Sequence, residues 1–348
     1  MIDLHKDALV FSFPDVHREA KFTIDFQRTL RIPDDGKDYP LPPGLGRFPT
    51  RLVDDFPDGV PQAWLDHGGV MLPMYQSEAM WLDFNTEMLW TFGTSYPFAI
   101  KIAAGKINAV TGEAWDNKLH RKPQDYLTVP RQPWLDGFSI EKGIIRQFVA
   151  MPLGAGYTAE EQITGEAEFG GLQIIVYPMK REVFDRRFPR LRMPPEAIGA
   201  ASSLPCLASL HDGAASADMG LAPGGRMRQE IFEDPFSFDD WDRQNASRCY
   251  VHLTNSLVWR AITGAHPPTT PPTAKQYSQA GLPWFDYYDD QGAPLKGSDR
   301  LKSLKSVLAM GKKKGDVPLP ENESATPENI VELRRGLRPG QVREEKAW

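Results

Sequence analysis

The sequence predicts an α+β protein with a largely antiparallel, sandwich-like β core and helices concentrated in the carboxy-terminal third. Three observations carry that expectation. Apolar and polar residues alternate at a period of two over several stretches of the first third, the pattern of strands with one wet face. Two nearly uninterrupted apolar runs, 144–151 and 172–177, have the length and Ile/Val content of strands buried on both faces. The best-capped helical patterns come late, and no regular strand–helix alternation of a parallel fold is present.

The first of the elements is the stretch 21–32, where Phe22, Ile24, Phe26, Leu30 and Ile32 line one face and Arg28 breaks the series. The proline-rich stretch 33–61 that follows reads as a long set of surface turns. Met80, Leu82 and Phe84 mark a second alternating strand, and 98–111 a hairpin closed at Gly105. The two apolar core runs are joined by a segment in which Thr158-Ala159-Glu160-Glu161 starts a helix, limited to about two turns by Gly165. Strand-like 248–253 leads into a short helix capped by Thr254 or Asn255 and stopped at Gly264. Two further helices are expected: one from Ser298 through Met310 to Gly311, another from Thr326, with Pro327 at its first position, to Gly336.

At 348 residues the chain holds one large domain or two. A β-rich region 1–196, a small-residue connection 197–217 containing Gly199 and Gly213, and an α+β region 218–348 packing on the first describe its organisation. A 41% hydrophobic and 25% charged composition is that of a soluble globular protein. With 46 acidic against 40 basic side chains, the net charge of −6 gives no general attraction for nucleic acid or anionic membranes. No run reaches the roughly eighteen apolar residues of a membrane span, and the amino terminus lacks a signal-peptide pattern, so a cytoplasmic location is expected. Cys206 and Cys249 read as reduced, buried thiols. The 7 histidines show no H-x-x-x-H or H-E-x-x-H spacing, so no metal site is expected.

Several constellations bear on function. Gly154-Ala155-Gly156-Tyr157-Thr158-Ala159 fits G-x-G-x-x-G/A, the pattern in which glycines admit a pyrophosphate to a helix start. Against a dinucleotide stand the short helix, the two glutamates at its start and the lack of an acidic residue after the second core strand; no cofactor is expected. Arg181, Arg186, Arg187, Arg190 and Arg192 form a local basic cluster with aromatic interleaving, best read as a solvated face. The lysines at 302, 305 and 312–314 read the same way. The Gly-rich stretch 220–228 carries Arg226 and Arg228, a pair suited to a carboxylate or phosphate and equally to structural ion pairs. Acids beside aromatics, Trp134 with Asp136 and Trp284 with Asp286 and Asp289, suit sugar-like or cationic ligands, or else bury their rings and leave the acids in water. The leading functional expectation is a small polar ligand held between these acid–aromatic turns and the Arg226/Arg228 loop. A self-assembling scaffold is the rival, and a nucleotide enzyme using Gly154, Gly156 and Thr158 comes third.

Overall fold

The computed structural model describes residues 1–191, 218–289 and 292–334. The expected connection at 197–217, with Cys206, lies outside those residues.

Strands β1 (Ile2–His5), β2 (Ala8–Ser12) and β3 (Lys21–Thr29) open the chain as a meander. The proline-rich stretch holds only short pieces, β4 (Asp38–Tyr39), β5 (Gly44–Arg47) and β6 (Arg51–Leu52), ahead of helix α1 (Gln62–His67). Next come β7 (Val70–Met74), β8 (Ala79–Asn85), the ribbon β9 (Met88–Leu89) with β10 (Thr94–Ser95), β11 (Phe98–Ala104) and β12 (Ile107–Asn108). β13 (Leu127–Val129), β14 (Trp134–Leu135), β15 (Gly137–Glu141) and β16 (Ile144–Pro152) precede α2 (Ala159–Thr164), β17 (Leu172–Pro178) and α3 (Arg181–Arg187). After residue 217 the order is β18 (Asp218–Arg228), β19 (Ser247–Asn255), α4 (Ser256–Thr263), α5 (Ala274–Gln279) and β20 (Trp284–Tyr288). Helices α6 (Asp299–Lys302) and α7 (Val307–Lys314) and strand β21 (Ile330–Arg334) finish it.

Antiparallel pairing joins the long strands in the order β1-β2-β3-β8-β16-β18-β19-β17-β11-β13. Parallel contacts are peripheral: β4 on β18, β7 on β19, and β20 with β21. The sheet folds back on itself, because Phe22 of β3 and Phe13 beyond β2 meet Phe98 of β11 with ring centroids 5.4 and 5.8 Å apart. The architecture is thus mostly antiparallel and sandwich-like, as the alternation predicts, and four of the seven α-helices among the described residues follow residue 255. No described helix is long and apolar enough to cross a membrane.

The alternating faces account for the core. Phe22, Ile24 and Phe26 are fully buried, each contributing roughly 1.5–3 kcal/mol of burial free energy. Arg28 breaks the series by being buried as well. Its Nε donates to Glu78 Oε1 at 2.8 Å, and one terminal nitrogen donates to the Thr269 carbonyl, so the charge is matched inside the fold. Both apolar runs are central strands, β16 and β17, but they do not pair with each other; β18 and β19 lie between them. The helix between them has the expected capping box: Thr158 Oγ accepts from Glu161 N, and Gly165 ends it in the left-handed region. Helix α4 likewise begins under the Asn255 cap and stops at Gly264.

Two expected helices are corrected. Residues 330–334 form strand β21, parallel to β20, where a helix through 335 was expected. Thr326 and Pro327 are sound local start signals, but β-branched Ile330 and Val331 extend along an available strand edge, and tertiary pairing overrides the local preference. The helix expected from Ser298 to Gly311 is two helices. Ser306 begins α7 afresh by accepting from Ala309 N, and Lys305 is tied to α2 by two hydrogen bonds with the Gln162 side chain, which holds the break open. Gly311 sits inside α7, and Gly315 ends it. Two of the expected loops also prove regular: the Gly-rich stretch 220–228 is most of β18, and the acid–aromatic turn at 284–288 is β20.

Candidate functional site

The candidate site lies on the outer face of β3, β8 and β14. Alternation on β8 sends Met80, Leu82 and Phe84 into the core, which leaves Trp81 and Asp83 on the other face. Trp134 of β14 pairs across from Asp83, and Asp25 of β3 faces Asp83 from the other side. Over this surface passes the start of the proline-rich stretch. β5 pairs with β3, and a Cβ on Gly44 would stand 3.3 Å from the Trp81 ring, so the backbone lies directly on the indole. Leu41 is stapled to Phe285 of β20 by two reciprocal backbone hydrogen bonds of 2.7 and 2.9 Å.

Between roof and floor is a cleft of about 180 Å³ lined by Leu41, Pro42, Pro43, Gly44, Trp81, Trp134, Asp136, Phe285 and Leu333. Its walls are aromatic: the Trp134 ring meets Tyr287 edge-on at 4.8 Å and Trp81 at 6.4 Å. Its polar group is Asp136, only 4% exposed. Gln229 of the segment after β18 grips this residue twice: Nε2 donates to Asp136 Oδ2 at 2.7 Å, and Oε1 accepts from the Asp136 amide at 3.1 Å. The next residue must be glycine, since a Cβ on Gly137 would lie 2.0 Å from the Arg146 carbonyl. Close packing of β15 on β16 is what buries the carboxyl.

Burial pushes the Asp136 carboxyl up to about 8, with the nearby Asp83 charge adding to the rise and the Gln229 hydrogen bond opposing it. At neutral pH it is therefore a carboxylic acid, able to donate one hydrogen bond as well as accept. Asp83 is raised by burial too, and Asn85 Nδ2 donates to it at 2.9 Å. The Trp81 Nε1 donor is buried and has no hydrogen-bond acceptor among the described residues.

Of the residues singled out from the sequence, Trp134 and Asp136 line this cleft. The others lie elsewhere or are matched to partners within the fold. Arg228 forms a two-point pair with Asp286, at 2.9 and 3.0 Å, so the arginine strand and the acid–aromatic segment do converge, but on each other. Arg226 is held by Asp38 at 2.6 Å and Glu141 at 3.2 Å. Asp289 is buried 3.7 Å from Arg131. Trp284 is buried between Tyr39 and Tyr277, its indole N–H donating to Ser278 Oγ. In the Gly154–Thr158 loop, the amides of Gly156 and Thr158 both donate to the Glu161 carboxylate, at 2.7 and 3.0 Å, which sits where a phosphate oxygen would have to be. Phe285 belongs to the acid–aromatic segment that the sequence singles out, whereas Trp81, Asp83 and Gln229 were not apparent from the sequence. Trp81 had the one usable signal, a large aromatic at an odd position of an alternation whose even positions are core.

Among the described residues one group has converging metal-ligand atoms: Asp116, His120 and Asp125, all within 4.8 Å of one another. The protein supplies the cation itself. The Lys101 ammonium lies 2.5 Å from Asp116 and 2.7 Å from Asp125. Comparison with known proteins adds nothing to this geometry, since no family model, curated protein or solved structure matches the chain.

Proposed function

We propose that this protein binds a small uncharged ring-shaped ligand carrying hydrogen-bonding groups, of the size of a single sugar, in the cleft between Trp81, Trp134 and Phe285. The observation that carries the reading is Asp136, a carboxyl held in its protonated form at the polar end of an aromatic-walled cavity. Flat indole faces suit the C–H face of a ring, and a neutral acid that both donates and accepts suits a hydroxyl. The volume of about 180 Å³ is below the roughly 300–1,000 Å³ of sites for larger ligands, which limits the occupant to about one ring. An anionic ligand gains no counter-ion from Arg226 or Arg228, because both are engaged by carboxylates.

The test is a tryptophan-fluorescence titration with a panel of monosaccharides and cyclic polyols, backed by saturation-transfer NMR. At least one member should perturb the wild-type signal, and Trp134→Ala should abolish the effect. A panel without any saturable response, or an unchanged affinity in Trp134→Ala, defeats the proposal. Asp83, close enough to raise Asp136 by its charge, supports a second reading, in which Asp136 donates a proton to a glycosidic oxygen with a second carboxylate beside it. That reading requires release of nitrophenol from nitrophenyl glycosides, lost in Asp136→Asn.

A further inference from the structure

We propose that His120 and Asp125 form a second, separate site, a general-base pair that activates water against a small carboxylic ester in the polar cleft lined by Lys118, Tyr177 and Lys180. The pair is built from the inside outward. Lys101, on β11 and 1% exposed, reaches Asp125 Oδ2 at 2.7 Å, Asp116 Oδ1 at 2.5 Å and the Lys118 carbonyl at 2.6 Å. Asp125, itself buried, then holds His120 at two points. Its Oδ1 accepts from the His120 amide and its Oδ2 lies 2.8 Å from Nδ1.

Asp125 Oδ2 at 2.8 Å takes the hydrogen bond of a proton on Nδ1, and Nε2, with Asp116 Oδ2 farther off at 3.5 Å, keeps the lone pair of the neutral ring. That nitrogen belongs to a side chain 49% exposed, which lines a cleft of about 820 Å³. The volume falls within the usual range for a small-molecule site, about 300–1,000 Å³. A buried carboxylate orienting a half-exposed imidazole through Nδ1 is the arrangement by which enzymes present a base to substrate. The seat between the carboxylates is filled by the lysine, so this chemistry draws on no metal.

The charged groups around His120 set what it can act on. Asp116 Oδ2 lies 3.5 Å from Nε2, and Asp125 and Lys101 stand behind the ring. Across the rest of the cleft are Lys118, Lys180, Arg243, Glu182 and Asp242. Asp242 is occupied, accepting from the amides of Gln244 and Asn245 and from Asn245 Nδ2. Arg243 is paired with Asp239. Lys118 and Lys180 have no carboxylate within 4.0 Å among the described residues, and they are the cations available to a developing oxyanion.

In the reaction, water gives a proton to His120 Nε2 as its oxygen bonds to the acyl carbon, and the carbonyl oxygen takes the negative charge. Collapse of the tetrahedral species breaks the ester C–O bond, and the imidazolium returns its proton to the leaving alkoxide. Water and ester become acid and alcohol, with nothing else consumed.

The full chain would be assayed with p-nitrophenyl acetate as the probe ester, following nitrophenolate release across the neutral pH range. The wild type should exceed the buffer blank, and His120→Ala should lose on the order of 10²-fold in rate. Free imidazole should restore part of the His120→Ala rate, saturably and above the reaction of imidazole with the ester in the absence of protein, which a purely structural role for His120 would not allow. Asp125→Asn should show a similar loss without imidazole rescue. Should that variant fail to fold, because it also loosens Lys101, the His120→Ala pair of measurements decides alone. A wild-type rate equal to the blank, or a His120→Ala rate equal to wild type, overturns the proposal.

Discussion

Asp136→Asn should stabilise the protein near neutral pH and leave its stability unchanged in acid. The wild-type carboxyl titrates near 8 in the folded protein against an ordinary value of 3.8. Between those values the folded state keeps a proton that the unfolded state has released, so unfolding becomes easier as pH rises, by about 1.4 kcal/mol per pH unit. From 3.8 to pH 7 is about three units, which sets an upper figure of about 4 kcal/mol; relaxation around the site, with an effective dielectric nearer 20 than 4, brings it down. Below the ordinary carboxyl value both states are protonated and the penalty vanishes. Asparagine has the shape of the protonated acid and retains an oxygen for Gln229 Nε2, so it mimics the acid form at every pH. Urea unfolding of both proteins at about pH 3 and about pH 7 should give coincident midpoints in acid and a higher midpoint for the variant at neutrality. Equal separation at both pH values would refute the assigned cause, as would a variant less stable than wild type at neutral pH.

Arg28→Met should cost about 3–5 kcal/mol, because it leaves Glu78 buried without its counter-ion; the double variant Arg28→Met/Glu78→Gln should recover part of that loss in denaturant titrations, and no recovery would place the loss in packing instead. In a Cys206→Ser background, Cys249 should resist a thiol reagent until the protein unfolds, since burial pushes its thiol up to about 12 and closes access. Rapid labelling of the native protein would contradict that placement.

What could be read from the sequence and what could not divide along the range of the interactions. Phe22, Ile24 and Phe26 disclose their strand because the period lies within the segment, and Thr158 with Glu161 discloses a cap because both partners sit within one turn. Thr326 and Pro327 mislead for the same reason: they report the local preference of a segment whose state is decided by β20, more than forty positions earlier. Asp136 was conspicuous beside Trp134, but nothing in the sequence says that it is buried and neutral. That follows from Gln229, 93 positions away, and from a β16 carbonyl that admits only glycine at 137. Arg226 and Arg228 show the converse. The sequence shows a pair suited to a carboxylate or phosphate, or to structural ion pairs, and the carboxylates that hold them in the fold belong to the chain itself.

The place of β18 in the sheet has a consequence for how the chain can be made. Residues 1–191 hold the set joined through β3, β8 and β16 and the set joined through β11 and β17, yet no strand pairing connects the two sets, which share the single backbone bond from Ser139 N to the Ala109 carbonyl at 3.0 Å between β15 and the residue after β12, until β18 and β19 arrive. A nascent chain halted before residue 218 would present β16 and β17 each with an open edge, both strongly apolar and both able to recruit strands from other chains. Synthesis through residue 255 is therefore the step that seals the molecule, and the half-made protein is the form that most needs a chaperone.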